Sequence, residues 1–283
     1  MANVKKGKSA AKGPPVQITP PGPPPAAPLT GPIAARPWMM PPPQPAQCPP
    51  GLQYLTVIDK LICQQLTELF EVIVNLETPN RYVLMNALGQ PCYFAVEVSR
   101  PDQVLLAGPD REFIIDVIDN LGTAVARVYR VGKICGNCCW GLCGQCSRHE
   151  VMVEAPPGCP AGTVMQVGRF CKFVTRVTSN TAGPNFVIVE GPGCNFSMSE
   201  CTFPVMALDG QTVGGITRHF RSLLAEEFSD SDTFSITFPL DMDPIIKLGL
   251  LACTFLIDFC YYEQTKEGPG EKEPIVTAED FEI

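Results

Sequence analysis

Apolar and polar positions alternate with period two through most of the middle of the chain, in short runs bounded by glycine, proline, asparagine and aspartate. Side chains of an extended strand point alternately to opposite faces, so each run reads as a β-strand with one buried face. The runs are EVIVNLE at 71–77, RYVLMNA at 81–87, CYFAVEV at 92–98, REFIIDVI at 111–118, TAVARVYRV at 123–131 and HEVMVEA at 149–155. GTVMQVG at 162–168, KFVTRVT at 172–178, PNFVIVE at 184–190, CTFPVMA at 201–207, QTVGGIT at 211–217 and TFSITFPL at 233–240 follow. The turn signals LGQP, DNLG and Leu208-Asp209-Gly210 join neighbouring runs. About a dozen short strands with hardly any helix predict a mainly β domain, a closed barrel or a sandwich, and argue against an α/β enzyme.

Two stretches depart from period two. Residues 55–70, LTVIDKLICQQLTELF, place Leu55, Ile58, Ile62, Leu66 and Leu69 at helical spacing, which predicts an amphipathic helix packed on the core. The second stretch, 244–262, is the longest apolar run. Pro244 suits a first helical turn and Asp243 its N-cap, and at 1.5 Å per residue the run is about 28 Å long, close to a hydrocarbon core. Lys247 and Asp258 interrupt it on nearly the same face, too far apart along the axis to pair. Two arrangements fit. The helix spans a bilayer with Asp258, Tyr261 and Tyr262 at the interface, or it is buried on every side with its charged ends at the rim. A barrel of twelve strands is wide enough to need a filling, and this helix can supply it.

The ends of the chain differ in charge. The net charge is −8, yet Lys5, Lys6, Lys8, Lys12 and Arg36 precede the first acidic residue, while the stretch after Tyr262 is acidic. A bilayer between the ends would suit a cytoplasmic N-terminus, and two unrelated solvated tails fit equally. Sixteen of the thirty prolines fall in residues 1–50, a composition that does not fold and predicts an extended, mobile tail. Pro21 with Pro24, and Pro42 with Pro45, give P-x-x-P spacing, so residues 14–50 are a candidate ligand for SH3-type domains. The expected boundaries are a tail at 1–48, a barrel domain at 49–263 and an acidic tail at 264–283. The basic start of the chain has no apolar core behind it, so no signal peptide is expected and the fourteen cysteines read as reduced thiols. An acidic domain argues against sequence-independent nucleic-acid binding. No phosphate loop and no H-E-x-x-H motif is present, and only two histidines are available.

Two clusters carry candidate chemistry. Cys135, Cys138, Cys139, Cys143 and Cys146 lie between two strands. Four thiolates, with His149 as a further donor, could bind Zn²⁺. Exposed thiols beside Trp140 and Leu142, near Lys133 and Arg148, could instead carry fatty chains, and ordinary inert thiols are the third reading. The second cluster is FSDSDTFSITFPLDMD. Asp230, Asp232 and Asp241 occupy positions 1, 3 and 12 of a twelve-residue frame, the spacing at which oxygen ligands wrap Ca²⁺. Asp241 in place of a bidentate Glu and Ser235 at the sharp turn predict a weak site. The competing reading makes 233–240 a strand with Phe234, Ile236 and Phe238 on one face and solvated aspartates around it. In residues 214–228, Arg218 and Arg221 are expected on the solvated face of a helix.

The order of these pieces resembles the phospholipid scramblase family: a Pro-rich tail, PPGLQYL at 49–55, LGQPCYFAVE at 88–97, VIDNLG at 117–122, a Cys-rich loop, EVMVEAPPG at 150–158, then FSDSDTFSITFPLDMD running into LACTFLIDF. The resemblance implies a tubby-like fold, a twelve-stranded closed barrel enclosing the C-terminal apolar helix. It also implies a Ca²⁺-responsive protein held on the cytoplasmic face of the plasma membrane by palmitoylated cysteines or by the helix. Such a protein is associated with ATP-independent movement of phospholipids between leaflets, without covalent catalysis. Carried over residue by residue, the calcium segment is Asp230, Asp232, Phe234, Ile236, Phe238 and Asp241, and the acylation cluster is Cys138, Cys139, Cys143 and Cys146. One short helix makes no groove for headgroups across a bilayer, so lipid movement would call for a homo-oligomer or a local disruption of the bilayer.

Overall fold

The computed structural model describes residues 36–66, 80–98, 112–130, 147–169, 172–180, 186–193, 201–219 and 233–262. Its strands are β1 Lys60–Gln65, β2 Arg81–Asn86, β3 Pro91–Glu97, β4 Phe113–Ile118, β5 Ala124–Arg130 and β6 Glu150–Glu154. They continue as β7 Pro160–Gln166, β8 Lys172–Ser179, β9 Phe186–Gly193, β10 Cys201–Met206, β11 Thr212–His219 and β12 Thr233–Thr237. Each pairs antiparallel with its neighbours in sequence, and β12 returns to β1 from Lys60↔Thr237 to Gln64↔Thr233, so the sheet closes. Closure leaves no bare edge among these strands, and the alternation sorts the side chains. In β6, Val151 and Val153 point inward while Glu150, Met152 and Glu154 lie outside.

The turns between strands follow the local sequence. Asp119 Oδ1 accepts from the amides of Leu121 and Thr123 at 2.9 Å each, and Gly122 takes the left-handed conformation with φ 79° that a side chain would oppose. The hairpin expected around DNLG is thereby formed.

After β12 the chain turns through Pro239–Met242 and enters the barrel as α1, Pro244–Ile257, which ends in a π-helical turn Asp258–Tyr262. Asp243 caps it as expected, Oδ1 accepting from Ile245 N at 2.7 Å, while Ser179 Oγ on β8 donates to Oδ2 at 3.0 Å. Every residue from Ile245 to Ile257 is buried. A helix apolar on all sides needs a surround that is apolar on all sides, and the inner face of the barrel provides it. Of the two arrangements the sequence allows, the structure shows the core helix, 94% buried, in a segment that by length and composition also meets the requirement for a membrane span.

The helix expected over 55–70 is corrected. Residues Gln53–Thr56 form one 3-10 turn and Lys60–Gln65 form β1. Leu61 and Cys63 alternate inward, and pairing with both β2 and β12 satisfies the backbone on both edges. A helix there would strand the ladder groups of those two neighbours. The run 71–77 lies outside the described residues, so β1 supplies the strand that completes the ring. Arg218 is likewise corrected: it lies near the end of β11 and is buried. Contact with the barrel also begins before the expected boundary at residue 49. Trp38 packs edge-on against Phe94 at 5.2 Å, and Met39 N donates to Pro91 O at 2.9 Å.

α1 comes closest to the wall at β7 and β8. A Cβ on Gly249 would stand 2.4 Å from Val177 Cγ1. Valine has little rotamer freedom to yield, so overpacking outweighs the better helix propensity of alanine. Gly249→Ala is expected to lower stability by about 1–2 kcal/mol in denaturant unfolding. Combined with Val177→Ala it should cost less than the sum of the two single changes, because the methyl vacates the space.

Candidate functional site

A lysine and an aspartate inside an apolar helix each need compensation from the wall. Lys247 is fully buried, and its Nζ donates to Leu55 O at 2.8 Å, Ile58 O at 2.9 Å and Leu240 O at 2.8 Å. An ammonium has three N–H groups, so each finds a carbonyl, and the ring of Phe238 lies 4.8 Å from the nitrogen. Burial pulls its pKa down to about 8, opposed by the charges of Asp59 and Asp241. The charged ends were expected at the rim. Instead the lysine is enclosed by the turn before β1 and the turn after β12.

At the other end Asp258 is buried and accepts from Tyr82 Oη at 2.8 Å. Around it, Arg130 Nη1 donates to Cys260 Sγ at 3.5 Å and its guanidinium lies over Phe113, which stacks on Phe259 at 4.6 Å. Arg218 covers the ring of Tyr262 at 3.9 Å, and Tyr261 meets Phe173 edge-on. Buried Glu97 accepts from Asn80 Nδ2 at 2.8 Å, and Asn80 Oδ1 accepts from Gln65 Nε2 at 2.7 Å. This end is therefore apolar at its centre with a buried polar belt around it.

Strict up-and-down order sorts the connections between strands. Those joining β2 to β3, β4 to β5, β6 to β7, β8 to β9 and β10 to β11 lie at the end where α1 begins. Those joining β1 to β2, β3 to β4, β5 to β6, β7 to β8, β9 to β10 and β11 to β12 leave from the end where α1 stops. The cysteine cluster belongs to the β5–β6 connection, and Asp230 and Asp232 to the β11–β12 connection. In a ring of twelve these two hairpins stand opposite one another, at the end where Tyr262 leaves the barrel.

Cys135, Cys138, Cys139, Cys143, Cys146, Asp230 and Asp232 lie outside the described residues. His149, at the root of β6, is buried, its backbone N–H donating to Gln166 Oε1 at 3.1 Å. Phe234, Ile236 and Phe238 turn their side chains into the core, and β12 is paired on both edges, by β1 and β11. Asp241 is exposed beyond the far end of β12, beside the Lys247 cage. At about 3.3 Å per residue the strand between the first two aspartates and Asp241 is about 13 Å long. Any share of the three core residues in holding a cation must go through their backbone carbonyls. Among the described residues, no group of three or more His, Cys, Asp or Glu is placed to hold a metal ion. The anchors Tyr82, Arg130 and Arg218 were missed from sequence; a charged residue inside an apolar run is the only signal that points to such partners.

A profile of the family described as Scramblase matches residues 39–264, which takes in all twelve strands and α1. Phospholipid scramblase 2 of Bos taurus is 39% identical over 234 residues, 81% of this chain and 77% of the relative. Phospholipid scramblase 1 of Homo sapiens is 38% identical over 236 residues, 82% and 72% of the two chains. Phospholipid scramblase family member 5 of Homo sapiens is 32% identical over 226 residues, 78% and 80%. No solved structure matches the chain. With the match running from the strap before β1 to the end of the buried helix, the chain belongs to the Scramblase family.

Proposed function

We propose that the protein moves phospholipids between leaflets without ATP and without covalent catalysis, in response to Ca²⁺, from the cytoplasmic face of the plasma membrane. The observation that carries this reading is the family match over the whole barrel and helix. Fatty chains on Cys138, Cys139, Cys143 and Cys146 hold the end of the barrel from which α1 emerges against the bilayer, because the β5–β6 connection is rooted there. The lumen is filled by α1, so headgroups do not pass through the barrel while the helix is in place. Movement follows the outer wall, an assembly of several copies, or a state in which the helix has left.

Ca²⁺ is the proposed trigger, taken up through Asp230 and Asp232 on the β11–β12 connection, while Asp241 at the far end of β12 and the ladder-paired backbone of Phe234 and Ile236 do not share that ion. The spacing of the first two aspartates supports it, and the strand divides them from Asp241. A second reading is an adaptor that recruits SH3-type domains. Of the Pro42–Pro45 motif on the described strap, Pro45 is exposed and Pro42 is half-buried, and Cys48 N donates to Pro45 O at 3.1 Å and closes a turn there. Deletion of residues 1–35 leaves that strap in place and should abolish capture only if the Pro21–Pro24 motif is the ligand.

The pure protein reconstituted in liposomes with labelled lipid is expected to collapse leaflet asymmetry when Ca²⁺ is added; no Ca²⁺-dependent loss would remove the transport function. Calorimetry should show Ca²⁺ uptake at millimolar levels. Asp230→Asn with Asp232→Asn should abolish it, whereas loss in Asp241→Asn alone would place the ion at the opposite end. Replacing the four cysteines by alanine should shift the protein from the membrane to the soluble fraction, since several acyl chains together anchor stably and an enclosed helix presents no surface to the bilayer. Unchanged fractionation would mean that the acyl chains are not the anchor.

A further inference from the structure

The backbone ladder of the barrel closes without its filling. Every strand is hydrogen-bonded on both sides within the ring, and the backbone bonds of α1 close within the helix, so withdrawing α1 breaks no ladder bond. What joins helix to wall is apolar contact, a mid-helix contact between Thr175 Oγ1 and Cys253 Sγ, and charged or strongly polar ties at its two ends. At the entrance, three carbonyls from outside α1 hold the ammonium of Lys247. At the exit, Tyr82 on β2 holds the carboxylate of Asp258. For α1 itself apolar contact does not discriminate between a protein lumen and a bilayer, because hydrocarbon receives the same surface, although withdrawal bares the apolar lining of the wall. The polar ties do discriminate, since a bilayer core offers neither carbonyls nor a phenol.

We propose that Lys247 and Asp258 form a two-ended latch that keeps α1 in the barrel, and that undoing both ends frees the helix to enter a lipid bilayer. The latch selects between the two surroundings that the length and composition of the helix allow. It is independent of whether the protein moves lipid, so its test stands apart from the transport assay.

The native thiols report the state of the helix. Cys253 and Cys260 are buried on α1 and its π turn, Cys92 is buried on β3 with its Sγ 3.5 Å from Met39 Sδ, and Cys159 is exposed in the β6–β7 turn. Burial pushes the Cys253 thiol up to about 12, so it reacts only after the helix opens. Pulsed maleimide labelling of the full chain, read by mass spectrometry at each cysteine, follows opening of helix and wall separately. In Lys247→Met, labelling of Cys253 and Cys260 should rise about tenfold or more while Cys92 stays at the wild-type rate. Tyr82→Phe should act in the same direction, and the double variant should approach the product of the two effects. Protein made without acyl chains should then float with phosphatidylcholine vesicles as the double variant and not as wild type. If Cys92 accelerates in step with Cys253, the lysine holds the whole barrel and the latch is wrong. It is equally wrong if Cys253 labelling is unchanged in Lys247→Met, or if the double variant and wild type float alike.

Discussion

A ring of twelve strands encloses more space than its own side chains can fill, and this architecture rests on how that space is occupied. α1 fills it with a continuous apolar surface from Ile245 to Ile257. The filling has a direction. Asp243 caps the entrance, Lys247 is clasped just inside it, and Asp258 is held near the exit by Tyr82. Buried charges are costly unless fully bonded, so these contacts set the depth and rotation at which the helix can rest.

The same arrangement divides the outside of the molecule by role. Short turns with tightly bonded aspartates close the end where the helix enters, as at Asp119 and Asp209. The connections carrying the cysteine cluster and the first two aspartates of the calcium frame leave from the opposite end, across the mouth from each other. The proposed acyl anchor on one side of that mouth and the proposed Ca²⁺ segment on the other would together let the ion alter how the mouth meets a lipid surface. Asp241 acts at the other end, where its charge favours the ammonium of Lys247.

Much of the fold was legible because its local rules agree. The period-two runs other than 71–77, the turn residues around DNLG and the Asp243-Pro244 start of the helix each carry their own physical signal, and each of these is found in place. The misreading at 55–70 arose because Leu55, Ile58, Ile62, Leu66 and Leu69 satisfy a helical template while Leu61 and Cys63 fit the strand, and only the neighbours decide between them. The anchors were not legible at all. Lys247 bonds carbonyls 189 and 192 positions away, and Tyr82 lies 176 positions from Asp258. A carbonyl belongs to every residue, so composition cannot mark which ones will meet an ammonium. For the calcium frame, the aspartate spacing was visible, but the strand running through it emerged only from pairing on both edges.

The apolar helix lies inside the barrel. Thr175 on β8 faces Cys253 on α1, with Oγ1 and Sγ 3.2 Å apart, both buried. Thr175→Cys therefore offers a partner to the native thiol. Under mild oxidation the account predicts an intramolecular disulfide between residues 175 and 253, found by mass spectrometry in soluble and membrane-bound protein alike. Absence of that bond in both, with the protein folded and the two thiols reduced, would contradict it.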